Sequence, residues 1–161
     1  MTNYGDTSAK MIISSGNAGS IPSGNIWYFW TPEVGGSYQA MMKIKQLAGG
    51  SSYSNRDGKR NWSIDLKDCY VVKNTGATIT EEFNLIIAFL QTATKAGAAP
   101  CYLWLRNTVD NGTDSGYLHL GNNAACSSAT HEIKGYVTSY NWKMMPGAMY
   151  KFDIKFQECL T

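Results

Sequence analysis

A chain of 161 residues fits a single domain, 1–161, and a domain of that length buries roughly 70% of the surface its unfolded form exposes, so neither a metal nor a disulfide is required to hold it. Charged residues make up only 16% against 43% hydrophobic, below the ordinary ~25% charged, which favours an assembling protein over a freely soluble enzyme. The net charge of +2 argues against a phosphate-tracking nucleic-acid binder, which concentrates Lys and Arg in one run or on one face; the nearest approach, Arg56, Lys59 and Arg60, is interrupted by Asp57.

Residues 1–25 are rich in Ser, Gly and Asn, with a short apolar island at Met11–Ile13, and read as a flexible N-terminal arm. The start has neither a basic segment nor an apolar core of signal-peptide length, and Cys69, Cys101, Cys126 and Cys159 show no Cys-x-x-Cys spacing; reduced thiols in a chain made in the cytoplasm are expected. On that basis the sequons at Asn61 and Asn111 carry no glycan. No run approaches about 18 apolar residues, so no membrane partner is expected.

"NIWYFWTP" is an aromatic run stopped by Pro32 and reads as a buried strand. In "SYQAMMKIKQL", Tyr38, Ala40, Met42 and Ile44 alternate against Gln39, Met41, Lys43 and Lys45, which predicts one half-buried strand. The stretch 48–61 has no apolar periodicity and reads as a long loop, which in a compact domain is usually functional or disordered. "WSIDLKDCYVV" predicts another strand, with Trp62, Ile64 and Leu66 on one face.

The helix follows in "TITEEFNLIIAFLQTATKAG". Thr78 is its N-cap, Glu81 completes a capping box, Glu82 adds charge at the positive end, and Gly97 and Pro100 end it. Phe83, Ile86, Ile87 and Leu90 form one stripe, and Leu85 and Phe89 widen the apolar arc to roughly 200°, where little more than 100° suffices for a surface helix. Either a second layer of the same domain or a neighbouring subunit covers Leu85 and Phe89. Four strands complete the chain, in "CYLWLR", "GYLHL", "HEIKGYVTSYNWK" and the segment after the turn at Met145–Ala148. In the last of these, Tyr150, Phe152, Ile154 and Phe156 take the core face, while Lys151, Asp153, Lys155 and Gln157 take the wet face. Strands, one helix, then more strands describe a mainly β, α+β domain: an antiparallel β-sandwich or barrel with a flanking helix.

Parts for chemistry are few. His119 alternates with Leu118 and Leu120, and His131 opens a strand beside Glu132; neither has a partner set, and no catalytic residue is assigned. Cys101, His119, Cys126 and His131 lack the close spacing of structural zinc ligands, so no metal or cofactor is expected. The loop "GGSSYSNRDGKR" fails as a phosphate loop, because Tyr53 stands where Gly is needed and Arg60 where Ser or Thr is needed. Asp65 with Asp68, or Asp110 with Asp114, are acidic pairs of the kind that is mostly solvated. Among five Trp and ten Tyr, Trp104 stands out: it is in phase with Tyr102 and Arg106, opposite Cys101, Leu103 and Leu105, and is therefore expected to face outward as a contact.

The order of elements, with a helix opened by "TGATITEEF" and a closing "GYVTSYNWKMMPGAMYKFDIKFQE" hairpin, resembles the tail-tube and baseplate-ring proteins of tailed viruses and related injection machines, over roughly residues 60–161. The resemblance implies a non-enzymatic virion subunit assembled in the host cytoplasm. It implies homo-oligomeric rings, commonly of six, whose sheets join edge to edge and which stack into a tube beside other tail proteins, with DNA only as non-specific cargo. Under it, Leu85, Phe89, Trp104, Arg56, Lys59 and Arg60 are subunit-interface candidates, and Lys151, Asp153, Lys155 and Gln157 line the lumen. The alternative from composition alone is a monomeric β-sandwich carbohydrate-binding module with exposed Trp and Tyr.

Overall fold

The computed structural model describes residues 11–18, 22–30, 33–39, 42–46, 49–50, 52–56, 61–105 and 132–159. Nine strands and one helix lie among them: β1 Met11–Asn17, β2 Pro22–Trp30, β3 Glu33–Gln39, β4 Met42–Gln46, β5 Ser52–Arg56, β6 Asn61–Val72, α1 Ile79–Ala93, β7 Cys101–Leu105, β8 Ile133–Met145 and β9 Met149–Glu158. The protein is mainly antiparallel β with a single helix among the described residues. Seven strands pair in the order β2-β1-β7-β8-β9-β6-β3, and β2 also pairs with β6, so six of them close on themselves while β3 continues outward along β6. β4 and β5 form a separate hairpin.

Bulges interrupt three of these ladders, between Ser14 and Gly16 in β1, Leu66 and Cys69 in β6, and Val137 and Ser139 in β8. Each bends and twists its strand, which is how a sheet of short strands turns far enough to close. They also slip the side-chain phase. In β6 the inward set is Trp62, Ile64, Leu66 and then Cys69 and Val71, with Asp68 at φ 55 in the bulge.

Inside the closed strands, Met11, Ile13, Phe29, Leu66, Leu103, Phe152, Ile154 and Phe156 pack against Phe83, Ile86 and Leu90 of α1. Phe83 is the hub: its ring stacks on Tyr150 at 4.5 Å and lies 5.3 Å from Phe152 and 5.8 Å from Trp142. A smaller apolar cluster of Ile12, Tyr28 and Trp104 lies on the opposite face of β1, β2 and β7.

At the start of α1 the Thr78 cap forms as the spacing requires, whereas Glu81, expected to close a capping box on the Thr78 amide, accepts from the Ala77 amide at 2.8 Å instead. Thr78 Oγ1 accepts from the Glu81 amide at 3.1 Å. The buried Glu82 carboxylate turns back and accepts from the amides of Thr75 and Gly76 at 2.9 and 2.6 Å. Gly76 has no room for a side chain, since a Cβ there would stand 2.6 Å from the Glu82 nitrogen. The helix stops at Thr94, whose hydroxyl donates to the Leu90 carbonyl at 2.8 Å, three residues before Gly97 at φ 79.

Several expectations are corrected. The 1–25 stretch is not an arm throughout, because Met11, Ile12 and Ile13 are buried in β1 between β2 and β7. The 48–61 stretch is not loop throughout, because Ser52–Arg56 pairs with Met42–Gln46. "SYQAMMKIKQL" is divided between β3 and β4, which belong to different sheets. The strand expected at "GYLHL" lies outside the described residues.

Candidate functional site

Four adjacent strands, β3-β6-β9-β8, carry the features that the interior does not use. Their outer face is set by the alternation of β9, whose Phe152, Ile154 and Phe156 point to the helix while Lys151, Asp153, Lys155 and Gln157 point away from it. Direct cross-strand partners share a face, so the outer set extends to Glu33 and Lys67, which stand opposite each other, and to Asp65, opposite Lys155. On β8, Ser139 stands opposite Lys155, Asn141 opposite Asp153 and Lys143 opposite Lys151. A groove of about 320 Å³ runs between Asp65, Lys67, Ser139, Asn141, Asp153 and Lys155.

The β6 bulge delivers one more carboxylate to this face. Strict alternation from Leu66 would turn Asp68 inward, toward the core. Instead the extra residue and the left-handed backbone at φ 55 place it outward, where Lys151 Nζ donates to its Oδ1 at 2.5 Å. Its own amide donates to Asp153 Oδ1 at 2.9 Å, tying the bulge to β9. Aspartate tolerates this backbone region better than most non-glycine residues.

The hydrogen bond from Lys151, together with the charges of Lys151, Lys143 and Lys67, holds the Asp68 carboxyl below its ordinary 3.8. The same hydrogen bond holds Lys151 above its ordinary 10.5. Asp68 is more acidic folded than unfolded, so its contribution to stability is present above about pH 4 and is lost as pH falls through the folded value. Lys151 is more basic folded, so its contribution is present below 10.5 and is lost as pH rises past that. Carboxyl titration by NMR is expected to give a midpoint below 3.8 for Asp68, moving back toward 3.8 in Lys151→Met. An unchanged midpoint in that variant would remove the pair as the cause.

Gln157 is engaged at the seam with β6, accepting from Ser63 Oγ at 2.6 Å and donating to the Trp62 carbonyl at 3.1 Å. Beside it the Glu158 carboxylate accepts from the Trp62 amide at 2.9 Å.

The two ends of the four-stranded unit are edges. β3 pairs with β6 on one side, and among the described residues no strand pairs with its other side. β7 pairs with β8 only at Ile133–Gly135, so β8 beyond Val137 pairs with β9 alone among the described residues. The hairpin formed there ends in exposed apolar side chains: Trp142 at 50%, Met144 at 61% and Met149 at 46%.

The interface candidates scatter. Leu85 is exposed, whereas Phe89 is half-buried and meets the Trp27 ring at 5.8 Å, so the width of the stripe does not make the two a pair. Trp104 is not outward: it is fully buried and donates from Nε1 to Ser14 Oγ at 2.9 Å. Arg56 lies on β5, with its side chain outside the described residues, as are Lys59 and Arg60. Sequence reasoning does not pick out Glu33, Asp65, Lys67 and Lys143 as members of the charged face. The alternation of Asp65 and Lys67 against Ile64 and Leu66 is a usable signal; the outward turn of Asp68 has none, since it depends on the bulge.

For chemistry, the described residues supply little. No group of three or more His, Cys, Asp or Glu among them is arranged to hold a metal ion. Cys101 is inward among Leu103 and Leu105, and burial pushes its thiol up to about 11, away from thiolate chemistry. His119, Cys126 and His131 lie outside the described residues. No helix among the described residues is long and apolar enough to cross a membrane. Compared with known proteins, no family model matches the chain and no curated protein matches it.

Proposed function

We propose that the protein is a structural virion subunit that closes into a ring through its β3 and β8 edges, the rings stacking into a tail tube or baseplate ring through which DNA passes. The observation that carries this reading is the pair of edges, at opposite ends of β3-β6-β9-β8, that no strand covers among the described residues. Two different edges on one unit make a head-to-tail contact, and such a contact closes into a ring when its rotation divides the full circle, the geometry proposed for this subunit. Closure joins the four strands of each copy into one continuous sheet and removes edges that otherwise invite aggregation. Six copies, as the resemblance implies, is the proposed number.

The charged face becomes the lumen in this arrangement, and α1 with its core lies behind it. Exposed Leu85 and the hairpin tip at Met144 and Met149 are then available to neighbouring copies, rings or other tail proteins. Of the tryptophans on which the carbohydrate-module alternative relies, Trp27 and Trp104 are buried, and the exposed Trp30 and Trp142 lie on opposite faces of the sheet.

Electron microscopy of the purified protein tests ring formation, with proline placed in turn at Val34 and Gly35 of β3. Neighbouring residues in a strand direct their N–H groups to opposite edges, so one of the two substitutions removes an outward donor and leaves the β6 ladder intact. That variant is expected to melt within a few degrees of wild type and to form no rings. A wild-type protein that stays monomeric, or rings that persist in both variants, would overturn the edge-closed assembly.

A further inference from the structure

Around the groove on the outer face of β3-β6-β9-β8, the described residues include four lysines, Lys67, Lys143, Lys151 and Lys155, and four carboxylates, Glu33, Asp65, Asp68 and Asp153; Lys134, farther along β8 where it pairs with β7, is a fifth lysine on the same face. Their placement is paired as well as balanced. Glu33 is opposite Lys67 and Asp65 is opposite Lys155 across adjacent strands, and Asp68 holds Lys151 at 2.5 Å. Lys143, directly opposite Lys151, contributes to the field that acidifies Asp68, and Asp153 is fixed beside them by the Asp68 amide at 2.9 Å. One carboxylate reaches the face only because β6 carries a bulge, at the cost of a left-handed non-glycine residue.

A polyanion binds a surface when lysines and arginines that are free to take its phosphates replace its condensed counterions, which are released to solvent. Around the groove, Lys67, Lys143, Lys151 and Lys155 each have a carboxylate opposite or diagonal to them across the strands, or in Lys151's case hydrogen-bonded, so a phosphate approaching any of the four meets a competing anion already in place. We infer that the face is a self-neutralised, non-adhesive surface for nucleic acid, and that Glu33, Asp65, Asp68 and Asp153 are the residues that keep it so. The inference rests on the proposed DNA-passing role for its biological sense. Transit past a lining requires that the lining not hold the cargo, and four unpaired lysines per subunit around a ring would hold it.

The test is a gain of function. In E33Q/D65N/D68N/D153N each carboxylate becomes a neutral isostere that still accepts hydrogen bonds, and asparagine suits the left-handed backbone at position 68. Binding of a short DNA duplex is measured for wild type and variant from about 50 to 200 mM salt, with melting recorded for both and ring formation scored separately by sedimentation. Wild type is expected to show no binding at the lowest salt. The variant is expected to bind, with log K falling against log salt with a slope on the order of −3 to −4, as for four phosphates neutralised per subunit.

E33Q/D65N leaves the hydrogen bonds of Asp68 and Asp153 in place and is the second variant. It is expected to bind with a slope on the order of −2 and guards against misfolding of the fourfold change. Salt-dependent DNA binding by wild type, or a folded double variant without binding, would overturn the inference. Absence of wild-type rings together with DNA binding by the variants would remove the tube while leaving the neutralised face in place.

Discussion

Replacing Gly135 with alanine is expected to unfold the protein or destabilise it by about 3 kcal/mol or more, the upper end of what overpacking a core costs. Gly135 sits mid-sheet in β8, between Cys101 of β7 and Glu158 of β9, and points inward beneath the Phe156 ring. A Cβ there would stand 2.1 Å from the Gln157 carbonyl oxygen and 2.8 Å from both the Gln157 carbonyl carbon and the Phe156 ring edge. The first two are backbone atoms, so no rotamer change relieves the contact. Only moving β8 away from β9 does, and that opens the ladder on which barrel closure depends. Against a total stability of roughly 5 to 15 kcal/mol the loss is large. Gly35→Ala in β3 is the control, since a Cβ there meets nothing within 4 Å, and it is expected to stay within about 0.5 kcal/mol of wild type. Urea denaturation of the two variants checks the contrast; equal midpoints would show that β8 and β9 do not approach as closely as the structure places them.

The second large effect is expected at Trp104. Its ring is fully buried with Ile12 and Tyr28, and truncation to alanine should cost about 3 to 5 kcal/mol. Trp104→Phe keeps most of the apolar contact but removes the donor to Ser14 Oγ, itself buried, and should cost about 1 to 3 kcal/mol. A ranking of wild type, Phe and Ala in denaturation midpoint follows. Were Trp104 an outward subunit contact, the alanine variant would melt like wild type and only assembly would suffer. That result, read by melting and sedimentation together, would return Trp104 to the surface.

Trp104 also shows how far alternation reaches. The phase it predicts is correct: Tyr102 and Trp104 do oppose Cys101, Leu103 and Leu105. Alternation separates two faces without saying whether the second is wet, and here Ile12 and Tyr28 bring a second apolar cluster to it. The Met11–Ile13 island misleads for a related reason. Three apolar residues among Ser, Gly and Asn carry no periodicity of their own, and they become a strand only because β2 and β7 lie on either side. The β6 and β8 bulges defeat alternation outright, because one extra residue exchanges the faces for everything beyond it, as at Asp68.

The features legible without the fold are those that short-range chemistry controls. The Thr78 cap, the acidic first turn and the inward stripe of α1, the tight turn at Met145–Ala148 and the two faces of β9 depend on residues within a few positions of one another. Tertiary structure alone decides which strands are neighbours, where the sheet closes through β2 and β6, which edges remain open among the described residues, and that lysines and carboxylates from four strands stand side by side on one face. Those outcomes depend on pairings between distant residues, such as Ser63 with Gln157, 94 positions apart. No local pattern encodes which of several half-buried strands will lie beside another, because the same alternation of apolar and polar side chains fits any of them.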